Sequence, residues 1–248
     1  MSTTQANHLI SKRDEPDERD FQFTPRTVPP AAADLRQYCD GAYNQLPLKS
    51  CSANAISAAL TLLGHKAGTP ILPPSRLFLY YNSRVLEGDT AADDGVTLRN
   101  AIKAAAKPGV CPESLWPYDP AQFATAPPQT AYNGISTRAL SYYRINRDLH
   151  ALKSCIAEGF PFVFGINAYE QSFFAAAHNG QLEMPAANDT LMGGHACLAV
   201  GYDDGAQRFT VLNSLGATWG AQGYFTIPYA YLLDDKLAYD FWTIREIG

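Results

Sequence analysis

The sequence predicts an α+β fold of two lobes, because helical patterns fill its first half and strand patterns its second half. A proline-rich segment over residues 108–134 separates the two halves and is typical of a linker or a crossing segment. The composition favours a folded chain, because 46% of its 248 residues are apolar and 12% are aromatic. The charged fraction, 17%, is too low for a chain that is disordered throughout.

Three helices are predicted in the first half, where apolar residues recur at spacings of three and four. The first runs over residues 51–63, with Ser50 as its predicted cap and Gly64 as its predicted end. The other two begin after Ser75 and Thr97, which are also residues that cap helices well. These helices make the first half a mainly helical unit.

Strand patterns dominate the second half, after one further predicted helix near Asp148–Glu158. Apolar residues alternate with other residues over Phe160–Asn167, which is the period of a half-buried strand. Four more strands are predicted: Ala196–Tyr202, Arg208–Leu212, Gly223–Ile227 and Phe241–Glu246. Asp203–Gly205 is predicted as a hairpin turn, so the strands are expected to pair antiparallel.

The predicted elements divide the chain into three parts. Residues 1–34, here called the arm, are polar and proline-bearing, so we expect them to be extended and not packed. Residues 35–134 are predicted to form the mainly helical lobe and residues 135–248 the mainly β lobe.

Charge and hydropathy exclude several classes of partner. The net charge of −5 provides no basic surface for nucleic acid or for an anionic membrane. No apolar stretch is long enough to span a bilayer. The chain starts without a signal-peptide pattern, so the cytoplasm is the default expectation. The five cysteines are odd in number and widely spaced, which does not fit a zinc or redox motif, and no metal or organic cofactor is expected.

Four residues form a candidate catalytic group. Cys51 stands at the first turn of a predicted helix, where the helix dipole favours a thiolate. His195 follows two glycines at the start of a strand, and Asn213 at the end of the next strand can orient its ring. Gln45 lies six residues before Cys51 and can supply an amide donor to an oxyanion, with the Cys51 N–H as a second donor.

The sequences around these residues resemble the papain-like cysteine peptidases. The motifs are Gln45…Ser50-Cys51-Ser-Ala, Gly194-His195-Ala and Asn213-Ser-x-Gly-x-x-Trp219-Gly-x-x-Gly223-Tyr. Further segments resemble the bacterial branch of that family: Asp94–Arg99, Gly109–Tyr118 and Gly201–Asp204. The similarity extends over roughly residues 14–248, and His195 follows Cys51 at the spacing typical of the family.

The resemblance implies a papain-like two-lobe fold, with the active site in the cleft between a helical lobe and an antiparallel, barrel-like β lobe. It implies a monomeric peptidase that hydrolyses polypeptides through a thioester. Cys51 would attack the scissile carbonyl, and His195, as an imidazolium paired with the thiolate, would protonate the leaving amine. Asn213 would hold the imidazole, and Gln45 would complete the oxyanion hole.

The resemblance also implies residues that bind substrate. Asp94 and Gly95 would lie on the non-primed side of the cleft, where a glycine lets the substrate backbone approach closely. Gly194 leaves space beside the histidine ring, and Trp219 would form a wall on the primed side.

Three positions depart from the family pattern. Ser52 stands where an aromatic residue usually follows the nucleophile, and Leu215 stands where a tryptophan usually shields the histidine–asparagine bond. Leu48 replaces a cysteine, so that family disulfide cannot form. Ser52 and Leu215 leave open one alternative, a catalytically weak or silent relative that acts as a binding module. A second alternative is a Cys-His acyltransferase, which shares the order of cysteine and histidine. Acyltransferases of the transglutaminase or arylamine-acetyltransferase type normally complete their triad with an aspartate, so Asn213 and Gln45 argue against this class.

The arm provides a hypothesis about regulation. We do not expect the long helical prosegment of the eukaryotic branch from the pattern of residues 1–34, but these residues are long enough to reach the cleft if they fold back. We therefore predict a zymogen-like segment in which residues 1–34 inhibit the enzyme.

Overall fold

The structure is a computed structural model that describes residues 11–248. Within that range seven strands and seven α-helices follow the order β1 (Ala32–Asp34), α1 (Cys51–Lys66), α2 (Arg76–Glu87), α3 (Leu98–Ala106), α4 (Gln129–Asn133), β2 (Ala139–Arg144), α5 (Leu149–Ala157), β3 (Phe162–Tyr169), α6 (Glu170–Asn179), β4 (Leu191–Asp203), β5 (Arg208–Leu212), β6 (Tyr224–Pro228), α7 (Tyr229–Leu233) and β7 (Ala238–Ile247). The three long helices of the first half precede most of the strands, which confirms the predicted α+β class.

The strands of the described chain form one antiparallel sheet in the order β2-β7-β3-β4-β5-β6, with β1 added to β4. Strand β4 is central, because it pairs with β3, β5 and β1 along its length. His195 lies in β4 opposite Ile166 of β3, and Leu198 pairs with Leu212, the residue before Asn213. The register of β4 and β5 therefore fixes where the predicted histidine and asparagine stand.

Helix α1 is buried along most of its length and packs against α2, α3 and β4. Its small residues allow this close approach. The helix continues past Gly64 to Lys66, so the predicted end was wrong. Gly64 serves packing instead, because a Cβ there would lie 3.2 Å from the side chain of Ile71. Ser50 stands at the N-cap position, as predicted, but its side chain makes no capping bond to the helix.

The other two predicted caps are confirmed, because Ser75 and Thr97 each accept a hydrogen bond from a backbone N–H in the first turn of the helix that follows. Asp148 caps α5 in the same way, although it was not predicted as a cap. Strand β2 and helix α6 were not predicted. Helix α6 begins directly at the end of β3 with Tyr169, which supplies no side-chain cap, and β2 shows no clear alternation of buried and exposed residues.

The described part of the arm, residues 11–34, is extended but packs on the body, so the prediction of an unpacked arm was wrong there. Ser11, Asp14 and Phe23 are buried. The Phe23 N–H donates to the Arg144 carbonyl, the Arg144 N–H donates to the Phe21 carbonyl, and β1 pairs with β4. Residues 1–10 lie outside the described residues.

Three further observations hold for residues 11–248. Every helix there is too short or too polar to cross a lipid bilayer. All five cysteines fall in this range, and no disulfide joins them. No three His, Cys, Asp or Glu side chains in it are grouped as a metal site requires.

Candidate active site

Cys51 is the first residue of α1, and its side chain is completely buried. Burial raises the pKa of its thiol to about 11, because a thiolate is poorly solvated there. Backbone N–H groups of Ala196 and Ser52 act in the opposite direction by favouring the thiolate. The bond from Ala196 also places the sulfur beside the residue that follows His195.

His195 is completely buried and is bound to Asn213, with Nε2 2.7 Å from Oδ1. The backbone N–H of Ser214 donates to the same Oδ1 at 2.8 Å, so this atom is an acceptor. Nε2 therefore carries the proton, and the lone pair of a neutral imidazole is on Nδ1. Burial lowers the pKa of His195 to about 4, although the bond to Asn213 acts to raise it. The closed site thus favours a neutral thiol and a neutral imidazole.

Gln45 lies in the loop before α1 and is tied to both sides of the site. Its Nε2 donates to the carbonyl of Leu48 at 2.9 Å, and its Oε1 accepts from the Ser214 hydroxyl at 2.7 Å. Its backbone N–H also donates to the Ser214 carbonyl at 2.8 Å. These bonds orient the amide group and connect it to the residue next to Asn213.

Aromatic packing encloses the histidine. Phe173 of α6 meets the His195 ring edge to face, with 5.7 Å between centroids. Trp219 packs against Phe173 at 5.2 Å and is almost fully buried. Trp219 therefore supports the ring that contacts the histidine. Phe173 was not predicted, because the helix that carries it was not predicted.

Gly194 leaves room for the backbone of the arm. A Cβ at Gly194 would clash with the backbone of Ser11 and with the Tyr239 hydroxyl. The next arm residue, Lys12, forms a parallel bridge to Thr97 at the start of α3. Arm residues 11 and 12 thus touch both the helical lobe and the β lobe beside His195.

The two other predicted substrate-binding residues lie in the loop between α2 and α3. The side chain of Asp94 is 66% exposed and lies 3.7 Å from Nζ of Lys49. Gly95 is buried with a φ of 67°, a conformation that favours glycine, and its N–H donates to the Tyr80 hydroxyl at 3.3 Å.

Comparisons with known proteins show the family of this chain. The family model described as "Papain family cysteine protease" matches residues 85–232. An uncharacterized peptidase C1-like protein of Acanthamoeba polyphaga mimivirus is 39% identical in an alignment of 218 residues that covers 82% of this chain and 69% of that protein.

This chain belongs to the papain family of cysteine proteases. Xylellain, a cysteine protease from Xylella fastidiosa, has a crystal structure that matches with a TM-score of 0.89 at 36% identity, covering 97% of this chain and 96% of xylellain. Procathepsin B S9 from Trypanosoma congolense matches with a TM-score of 0.75 at 17% identity, over 91% of this chain and 82% of that chain, which shows the shared fold. The papain-like fold is confirmed, and the protein is a peptidase that takes polypeptide substrates.

The departures from the family pattern have local explanations in this peptidase. Ser52 is buried, and its hydroxyl donates to the carbonyl of Val96 at 3.2 Å, so it ties α1 to the loop that carries Gly95. Leu215 is half-buried at the position of the missing tryptophan. Phe173 supplies an aromatic face to the histidine from a different element.

A further contact group in the peptidase holds the loop before Cys51. The Tyr118 hydroxyl donates to the Gln45 carbonyl at 2.8 Å. The Ser50 hydroxyl lies 2.5 Å from the Tyr118 hydroxyl. Because the Tyr118 proton is already given to Gln45, Ser50 is the donor in this second pair. Asn54 in turn donates to Ser50 Oγ at 3.0 Å. Arg76 stacks on the Tyr118 ring at 4.1 Å. Tyr118 lies in a segment quoted for the family resemblance, but that segment did not reveal what the tyrosine touches.

Proposed function

We propose that this peptidase cleaves peptide bonds with Cys51 as nucleophile, His195 as base and acid, and Asn213 and Gln45 as supporting groups. The observation that carries the proposal is the bond from His195 to Asn213, which leaves the Nδ1 lone pair to receive a proton. The thiol that would donate it stands at the start of α1 and accepts a bond from the neighbouring Ala196 N–H.

The steps follow from these groups. Nδ1 of His195 takes the thiol proton, and the Cys51 sulfur attacks the substrate carbonyl. The Cys51 N–H and Nε2 of Gln45 donate to the oxyanion, and the imidazolium then protonates the leaving amine. Water attacks the thioester with His195 again as base, which releases the acid and restores the thiol.

Substrate binding is assigned to the segments on either side of the catalytic pair. We assign Asp94, Gly95 and Gly194 to the non-primed side, supported by the arm residues that lie against Gly194 and Thr97. Trp219 is assigned to the primed side, where it supports Phe173 against the histidine.

We further propose that the arm, residues 1–34, inhibits the enzyme. Ser11 occupies the space at Gly194, Lys12 bridges to Thr97, and both Cys51 and His195 are completely buried. A substrate backbone that approaches Gly194 would have to displace Ser11.

The arm is anchored by the buried carboxylate of Asp14. This carboxylate accepts from the Arg99 N–H at 3.1 Å, from Trp242 Nε1 at 2.7 Å and from Arg144 at 3.1 Å. The Asp14 N–H donates to Asp240 at 2.6 Å. Breaking a buried, hydrogen-bonded ion pair costs about 3–5 kcal/mol, so the loss of this one is expected to release the arm.

The experiment for catalysis compares the native chain with Cys51→Ala and with Cys39→Ala on a fluorogenic peptide amide. Cys39 is half-buried and lies outside the group described above, so its variant is the matched control. We expect Cys51→Ala to lower kcat by about 10⁴-fold or more and Cys39→Ala to leave it unchanged. Cleavage that survives in Cys51→Ala would contradict the proposal.

The two alternatives have distinct outcomes in the same assay. An acyltransferase would pass the acyl group to an added amine and form little free acid. A silent relative would form neither product, and its Cys51 would not react with an epoxide inhibitor of papain-like enzymes.

The experiment for the arm compares Asp14→Asn with Asp17→Asn. Asp17 is the matched control, because its carboxylate binds Arg19 within the arm itself. We expect Asp14→Asn to raise peptide cleavage and to expose the arm to limited proteolysis, and Asp17→Asn to do neither. Inhibition would be refuted if proteolysis shows that the arm is released in Asp14→Asn, while both variants cleave the peptide at the same rate as the native chain.

A further inference from the structure

We propose that Asp93 is a positioning residue that fixes the backbone just before the nucleophile. Its two carboxylate oxygens accept from the backbone N–H of Lys49, at 3.1 and 3.2 Å. Lys49 lies two residues before Cys51, whose own N–H is an assigned oxyanion donor. The proposal rests on the function proposed above and adds a residue that none of the family motifs identified.

The loop before Cys51 needs such a support, because it contains no regular element that would hold it. Leu46 adopts a φ of 51°, which is uncommon for a leucine. Leu48 stands at the position of a family disulfide cysteine, and no disulfide joins the five cysteines of this chain. The Tyr118 hydroxyl fixes the loop at Gln45 and Ser50, and Asp93 fixes it between them at Lys49.

Asp93 is itself held from the opposite side. Tyr80 of α2 donates its hydroxyl to Asp93 Oδ1 at 2.5 Å and accepts the N–H of Gly95 at 3.3 Å. Burial, together with the bond to Asp93, raises the pKa of Tyr80 well above its usual range, so the hydroxyl keeps its proton and remains a donor. The carboxylate thus receives charge-assisted bonds from two directions.

The loop that carries Asp93 is fixed by a buried arginine. Nη1 of Arg84 donates to the carbonyls of Thr90 and Ala92, at 2.8 and 3.2 Å, and its guanidinium stacks on Tyr80 at 4.4 Å. Ser52 adds the bond to Val96 described above. The loop between α2 and α3 is therefore a rigid support, and Asp93 and Ser52 link it to the residues on either side of Cys51.

The test is Asp93→Asn, with Asp89→Asn as the matched control. Both residues lie in the loop between α2 and α3, but Asp89 is exposed, and among the hydrogen bonds described for residues 11–248 its Oδ1 accepts only the backbone N–H groups of Ala91 and Ala92. An asparagine at position 89 keeps that acceptor oxygen. An asparagine at position 93 keeps the shape and offers one acceptor oxygen, so Lys49 N–H and Tyr80 O–H would compete for it.

We expect Asp93→Asn to lower kcat on a fluorogenic peptide amide by about tenfold with a smaller change in KM, because misplacing an oxyanion donor acts on the transition state. Alkylation of Cys51 by iodoacetamide forms no tetrahedral oxyanion, so its rate should stay within about twofold of the native rate. Asp89→Asn should change neither quantity. Each substitution is made in two backgrounds, the native chain and the Asp14→Asn variant. In the second background the arm is expected to be released, so inhibition by the arm does not hide the effect.

Three outcomes would overturn the proposal. The first is that kcat of Asp93→Asn is unchanged. The second is that kcat and the alkylation rate of Asp93→Asn fall in parallel. The third is that Asp89→Asn has the same effect as Asp93→Asn. If Asp93→Asn does not fold, Tyr80→Phe removes the hydroxyl that orients Asp93 and should lower kcat in the same direction. Failure of the proposed function would be distinguishable, because Cys51→Ala would then retain cleavage.

Discussion

The two sides of the cleft hold the proposed catalytic groups by different means. On the β side, His195 lies within β4 and Asn213 directly follows β5, so backbone pairing fixes both residues. On the helical side, Gln45 and the residues up to Cys51 lie in a loop with one backbone bond to the β side, from the Gln45 N–H to the Ser214 carbonyl, and the loop is otherwise held mainly by individual side-chain bonds. A sheet shares its support over many hydrogen bonds, whereas this loop depends on a few hydroxyl and carboxylate groups. Loss of one group is therefore expected to matter more on the helical side.

The largest effect is predicted for His195→Ala, which removes the base but leaves the sheet pairing of β4 intact. We expect kcat to fall by about 10⁴ to 10⁶-fold while the melting temperature changes little. Steady-state kinetics and thermal unfolding check both statements. A large loss of stability would mean that the ring, and not the sheet, organises the β side.

Gln45→Ala is predicted to have the next largest effect. It removes an oxyanion donor, which lowers kcat by about 10² to 10³-fold. It also leaves the buried Ser214 hydroxyl without its acceptor, which costs about 1–3 kcal/mol in unfolding free energy. Steady-state kinetics and denaturant unfolding measure the two losses. If the variant loses activity but keeps its stability, the hydrogen bond from Ser214 to Gln45 does not stabilise the contact between the two sides.

A smaller effect is predicted for Tyr118→Phe. The ring and its contact with Arg76 remain, but the hydroxyl that joins the Gln45 carbonyl to Ser50 is lost. We expect kcat to fall about three- to tenfold, because both ends of the loop gain freedom. Tyr142→Phe on β2 is the control. If kcat falls equally in that variant, the helical side is not more sensitive to the loss of one hydroxyl than the β side.

Sequence patterns were sufficient to predict the family and to propose the residues that carry the chemistry, because each of these residues stands in a short local motif. They were not sufficient for the residues that hold these groups in place. Tyr118 acts on Gln45 across 73 residues and Asp93 on Lys49 across 44, so the contacts exist only in the folded chain. The arm was misjudged for a related reason, because the partners that bury Asp14 come from α3, β2 and β7.

The pKa shifts describe the closed site and predict how it changes on opening. Burial raises the pKa of the Cys51 thiol to about 11 and lowers that of His195 to about 4. Between these values the closed pair is neutral, and the thiolate fraction rises as the pH rises towards the thiol pKa. Water that enters after arm release would lower the thiol pKa and raise the imidazole pKa, so the ion pair becomes accessible near neutral pH.

The pH dependence of Cys51 alkylation in Asp14→Asn, with and without His195→Ala, tests the central claim that the thiol and the imidazole act as one unit. Peptide mapping assigns the adduct, and the half-buried Cys39 serves as an internal reference, because burial also raises its pKa to about 11. The account predicts reaction at Cys51 at about pH 7 that slows at least about tenfold when the imidazole is removed, with Cys39 unchanged. Equal Cys51 rates with and without His195 would contradict it.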